Sequence, residues 1–330
     1  MPAPQPRRAL TTPERGGPAP ARDVHRTLTD TIVAQIEAGP GPWRCPWHRD
    51  GGGLPTNALT GHTYRGINTV SLWCAEQAHG YTAGRWATYR QWATLGAQVR
   101  RGAQGTPVLF YKDQARPDAC STGRSSHPAG EDGSDHPRFV ARASWVFNAA
   151  QVEGAPDAAP PPTISGVSPT PSLDRFVAHT GALIREGESA CYLPGPDEIG
   201  MPARARFTCA QGYAATLLHE LVHWTGHASR LNRDLTTRFG TRAYATEELV
   251  AELGAAFVLA GLGLASTPHP NHASYLAHWL PLVRADPRAL VTAAAHASRA
   301  ADHLAALQPK PEAASPGQTD VSNTDQGVAA

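Results

Sequence analysis

The chain has 330 residues, 41% hydrophobic and 17% charged, with a formal net charge of +1. That length accommodates two cores; no stretch approaches the roughly 18 apolar residues of a membrane span, and five cysteines without a CxxC pair exclude a disulfide frame or a zinc knuckle. The charge is split: residues 1–154 carry 17 Lys and Arg against 12 Asp and Glu, a balance of +5, and residues 155–330 carry 12 against 16, a balance of −4. A basic half joined to an acidic half points to a polyanion as partner of the first.

Residues 1–22 are rich in Pro and Gly and lack an apolar run, so they read as a disordered tail with no signal peptide, and the chain as cytoplasmic. A first domain is expected over 23–154. DVHRTLTDTIVAQIEAG (23–39) is a helix with Asp23 as cap and Val24, Leu28, Ile32 and Ile36 at helical spacing. GPWRCPW is a rigid aromatic turn, and NALTGHTYRGINTVSLWCAEQAHGY a hairpin or loop followed by a helix over 68–79. RWATYRQWATLG (85–96) reads as a second helix, with Trp86, Tyr89 and Trp92 three apart. GTPVLFYK and FVARASWVFNAAQ are strand-like and flank a polar, flexible insertion over about 113–137.

Six of the eight tryptophans fall in this half, interleaved with arginines. Single-stranded nucleic acid is held by aromatic stacking plus a cationic groove. The candidates for such a surface are Trp43, Arg44, Trp47, Tyr64, Arg65, Asn68, Arg85, Arg90, Arg100 and Arg101. Trp73, Trp86 and Trp145 lie in periodic segments and read as core. For Trp43, Trp47 and Tyr64, in loop-like contexts, stacking and packing are both open.

A Pro-rich linker over 155–171 leads to a mostly helical domain over 172–308, before a second disordered tail, 309–330. SLDRFVAHTGALIREG is an amphipathic helix; RFTCAQGYAATLLHELVHWTG is a helix ending at Gly226; TEELVAELGAAFVLAGLG is another, capped by Thr246. Two more follow, separated at Asp286-Pro287.

The first of these motifs is HExxH. His219 and His223 lie one helical turn apart on one face, so both imidazoles can bind one Zn²⁺, and Glu220 can take a proton from the attacking water. The metzincin third ligand fails, because Ser229 stands where a histidine is needed and neither methionine (Met1, Met201) is downstream. His227 is rotated about 80° off the ligand face, beyond Gly226, and suits a pocket wall or a helix-end hydrogen bond. Tyr244 and His227 are both candidates for an oxyanion donor. Glu248 and Glu252 lie four apart on an otherwise apolar helix, where carboxylates are costly to bury unless paired or metal-bound. Glu247 reads as a solvated charge at the helix N-terminus. EELVAE resembles the pattern of glutamate-ligand zincins, which makes Glu248 the third ligand and Glu252 the carboxylate bracing a histidine, with exchanged roles left open.

YRGINTVSLW, GYTAGRWATYRQW, GAQVRRGAQGTPVLFY and VFNAAQVEG resemble the N-terminal single-strand DNA-binding domain of ArdC-type antirestriction proteins; DEIGMP, YAATLLHELVHWTGHASRLNRD, YATEELVAELGAAF and HASYLAHWL resemble their zincin-like metallopeptidase domain. The resemblance covers roughly residues 23–305. It implies an α+β protein, a small mixed α/β DNA-binding domain followed by a helical gluzincin-type domain with one Zn²⁺ per chain. It further implies a protein of plasmids or other mobile elements that binds single-stranded DNA and blunts restriction, with a host protein substrate or a restriction enzyme as further partner and no membrane. The insertion and the GAQG after Arg101 depart from the family pattern, and the second weakens a phosphate contact there. The rival readings are a DNA-binding protein whose zinc domain is a non-proteolytic scaffold, and a regulatory metalloprotease cleaving a host repressor or restriction subunit.

Overall fold

The computed structural model describes residues 26, 28–34, 53–113, 139–156, 169–235, 241–264 and 281–309. Both tails, most of the insertion and of the linker, Asp23 and the candidates Trp43, Arg44 and Trp47 lie outside the described residues.

Residues 28–34 are helical (α1). Strand β1 (Thr56–Asn57), β2 (Arg85–Thr88), β4 (Thr106–Asp113) and β5 (Phe139–Asn148) form a sheet in the order β1-β2-β5-β4, with only β1 and β2 parallel. Strands β3 (Gln98–Val99) and β6 (Val152–Glu153) pair beside it. The expected helix over 85–96 is divided: Trp86 pairs with Asn148 in the sheet, and α3 (Tyr89–Thr94) starts only at Thr88, whose side chain and Gln91 form a capping box. A three-residue aromatic spacing cannot distinguish a helix from a strand running into a helix.

Helix α2 (Ile67–His79) covers the free edge of β4. Asn68 donates to Leu109 O (2.8 Å) and accepts from Leu109 N (2.7 Å), and Ser71 donates to Pro107 O (3.0 Å). The outward backbone groups of an edge strand are thereby satisfied by side chains. Gly66, at φ +57°, makes the left-handed turn into α2 that a side chain would strain. Its N–H donates to Ser298 Oγ (2.8 Å) on α8 (Pro287–Ala306).

In the second half, α4 (Pro169–Thr180) precedes a three-stranded sheet absent from the sequence reading: β7 (Leu183–Glu186), β8 (Cys191–Leu193) and β9 (Glu198–Met201), ordered β7-β9-β8. Helices α5 (Ala210–Thr225) and α6 (Arg242–Gly261) follow, then the turn of helix 281–285 (α7) and α8. Helix α6 begins earlier than expected, because Thr241 rather than Thr246 accepts from the free N–H of Tyr244. Ala293, Ala294, Ala297 and Ala300 of α8 are fully buried, and their small side chains let it lie close against α6.

One hydrophobic core runs through both halves. It joins Leu28 and Ile32 of α1, Val70 and Trp73 of α2 and Leu109 of β4 to the apolar faces of α5, α6 and α8. Trp73 meets Phe257 at 5.6 Å between ring centres, and Arg65 pairs with Asp302 at the surface. Among the described residues no helix is long and apolar enough to cross a membrane.

Candidate metal centre

Helix α5 is apolar nearly all round, so its two histidines lie inside the fold. Cys209 caps its start and Gly226 its end. The glycine is required by space: a Cβ there would lie 2.9 Å from Leu235 Cδ2 and 3.0 Å from both Arg233 Nη2 and His223 O. Helix α6 packs across α5 at Gly254, where a Cβ would come within 2.8 Å of Val222 Cγ2. This close crossing sets the glutamates of α6 against the histidines of α5.

His219 Nε2 and His223 Nε2 are 3.2 Å apart. Glu248 spans them, with Oε2 3.4 Å from His219 Nε2 and Oε1 3.6 Å from His223 Nε2. Zinc with N and O ligands at about 2.1 Å would give tetrahedral edges of roughly 3.4 Å. Among the described residues, His219, His223 and Glu248 form the group able to hold a metal ion. Glu248 Oε2 is buried without a hydrogen-bond partner of good geometry, as suits an atom facing a cation.

The opposite edges of both rings meet carboxylates. His219 Nδ1 lies 3.7 Å from Glu252 Oε2, and His223 Nδ1 lies 3.2 Å from Glu247 Oε1. Each carboxylate favours a proton on Nδ1 and leaves the Nε2 lone pair facing inward. Burial opposes a charged His219, but Glu248, Glu252 and Glu220 outweigh it and raise the imidazole pKa; burial likewise raises the Glu248 pKa, and the two histidines with Tyr244 more than reverse it. The cluster thus favours positive charge, either a proton or a metal ion. Glu220 is buried in the same layer.

Glu247 is a member of the candidate site that its sequence context does not reveal. It is buried rather than solvated, and Arg233 grips it bidentately, Nη2 to Oε1 at 2.8 Å and Nε to Oε2 at 3.0 Å. Arg233 is in turn fixed by Val222 O (2.7 Å) and Thr225 Oγ1 (2.9 Å) at the end of α5. The signal was a third acid on an apolar helix, but nothing in the spacing links residue 247 to Arg233. Glu247→Gln should weaken cation binding by about 10–100-fold, the usual range for losing such a brace; calorimetric titration with Zn²⁺ would show it, and an unchanged affinity would remove Glu247 from the site.

His227 stands apart from the cluster, its Nδ1 2.8 Å from Ser229 Oγ. Tyr244, one turn before Glu248, contributes to lowering the pKa of that carboxylate. The DNA-binding candidates are dispersed. Tyr64 is buried, its hydroxyl accepting from Asn57 (3.2 Å), so its ring offers no stacking face; Asn68 is used by the edge of β4. Arg85 donates to Pro156 O (2.7 Å), Arg65 pairs with Asp302, and Arg100 lies 3.6 Å from Glu153. Arg90 and Arg101 are exposed. Trp73 and Trp86 are core as expected, whereas Trp145 is 57% exposed: its neighbour Val146 takes the inward side of β5.

Comparison with known proteins gives two family matches. Residues 22–147 match the N-terminal domain of anti-restriction factor ArdC, and residues 171–296 match a zincin-like metallopeptidase domain. An uncharacterized protein, y4eC of Sinorhizobium fredii, is 43% identical over 296 residues, covering 88% of this chain and 94% of that one. A DNA primase TraC of Escherichia coli is 38% identical over 303 residues, covering 88% of this chain but only 28% of the primase. Among solved structures, the metal-free antirestriction ArdC protein from the R388 plasmid aligns with a TM-score of 0.70 at 38% identity, over 86% of this chain and 97% of that one. Its Mn(II)-bound form aligns at 0.68 and 37%, with the same coverage.

Proposed function

We propose, from the premise that the chain belongs to the ArdC antirestriction family, that it binds single-stranded DNA through its first half and holds one Zn²⁺ on His219, His223 and Glu248 for peptide hydrolysis. The observation that carries the metal site is the tetrahedral spacing of the three donors with a carboxylate behind each imidazole. The Mn(II)-bound relative supports a divalent cation.

A cation bound there supplies Lewis acidity for the attack of water on a carbonyl. The chain's own residues do the rest. Glu220 takes the water's proton and passes it to the departing amine. Glu252 and Glu247 hold the two rings in register, and Tyr244 steadies Glu248. By its likeness to the R388 plasmid protein, the chain acts for a mobile element in the cytoplasm of a host, against a restriction enzyme or another host protein.

A second reading is favoured by one observation. The core shared by α1, α2, α5, α6 and α8 makes the metal half a structural support of the other, which suits a scaffold without turnover.

Titration of a labelled dT oligomer at increasing salt tests the DNA half. Tight binding that weakens steeply with salt, and exceeds duplex binding, is the expected result. Salt-insensitive binding, or none, would remove the DNA-binding reading.

A further inference from the structure

We propose that the exposed indole of Trp145 is a base-stacking platform for single-stranded DNA, flanked by the cationic turn 100–105; the inference rests on the DNA-binding reading above. An indole 57% exposed on a strand of a packed sheet is unusual, since tryptophan is mostly buried. Its setting is built. Trp145 pairs with Pro107, and the backbone of Gly105 lies against it: a Cβ on Gly105 would stand 3.1 Å from Trp145 Cβ and 3.2 Å from Phe147 Cζ. A glycine therefore leaves this strip of the sheet bare, with half-buried Phe147 continuing it toward α3.

The elements that carry it are predominantly basic. Segments 77–112 and 144–152, which supply β2, β3, α3, β4 as far as Lys112 and the Trp145 end of β5, contain no Asp or Glu but include Arg85, Arg90, Arg100 and Arg101; Asp113 closes the far end of β4. The acid at the rim is Glu153, beside Arg100. Arg101, exposed in the turn that ends at Gly105, makes no ion pair with any described residue. An aromatic face on elements where cations outnumber carboxylates suits unpaired bases on a phosphate backbone, because every base has a face to stack and every nucleotide a charge. A protein partner gives no reason for the basic excess.

Affinities of full-length wild type, Trp145→Ala and Trp145→Phe for a dT oligomer and an abasic oligomer of equal length test this. Phe110→Ala is the control, since Phe110 is 46% exposed but pairs with Arg142 on the opposite face of the sheet. Wild type and Phe110→Ala should prefer dT by about 10-fold, Trp145→Phe should retain most of that preference, and Trp145→Ala should abolish it while binding the abasic strand unchanged. A preference that survives in Trp145→Ala overturns the platform and leaves the DNA-binding reading standing. Wild type that binds neither strand overturns both. Concentration-dependent self-association, lost in Trp145→Ala, would assign the indole to a second copy of the chain and overturn the proposal.

Discussion

Glu220→Gln should leave zinc content and melting temperature near those of wild type and lower peptide hydrolysis by about 10²–10⁴-fold, the range a positioned general base contributes. The substitution is nearly isosteric, and Glu220 is not among the three grouped donors. Its carboxylate adds to the negative field around His219, so a small drop in cation affinity accompanies the change. Antirestriction in a conjugation assay separates the readings. If Glu220→Gln protects incoming DNA as well as wild type does, hydrolysis is not the means and the scaffold reading stands. If protection is lost while single-strand binding is kept, the proteolytic reading stands.

Gly254→Ala should destabilise the protein by about 1–3 kcal/mol, the usual cost of an added methyl group in a filled core. The new Cβ would meet both Val222 methyl groups inside 3.0 Å, and both residues are buried on long helices without slack. The crossing of α5 and α6 would have to open, drawing Glu248 and Glu252 away from His219, so cation affinity should fall with stability. Val222→Ala added to Gly254→Ala removes the clash and should recover much of both, in thermal unfolding and in zinc titration. A single variant as stable as wild type would show that the crossing is not tight.

Much of the candidate metal site was legible because its geometry is local. The spacing of His219 and His223 is one helical turn, and Glu248 and Glu252 repeat that spacing on a helix too apolar to hold unpaired acids. Glu247 was not legible, because its partner Arg233 is brought back by the turn after Gly226, and no periodicity records a turn's path. Of the fold, α2, β4, β5 and α5 were readable from their apolar patterns. The 85–96 segment was not, since only pairing with β5 decides that Trp86 is in a strand. The small sheet β7-β9-β8 was missed for a related reason: its strands are three or four residues long and half-exposed, too short to show alternation. Trp145 was misassigned because alternation tells which residues share a face and not which face is covered.

A crystal of the protein grown with zinc and measured across the zinc absorption edge tests the metal site directly. One anomalous peak per chain is expected, about 2.0–2.2 Å from His219 Nε2, His223 Nε2 and a Glu248 oxygen, with Glu252 and Glu247 remaining on the two Nδ1 atoms. A peak bound by Glu252 in place of Glu248, a peak elsewhere in the chain, or a His219→Ala protein with undiminished zinc would contradict that assignment.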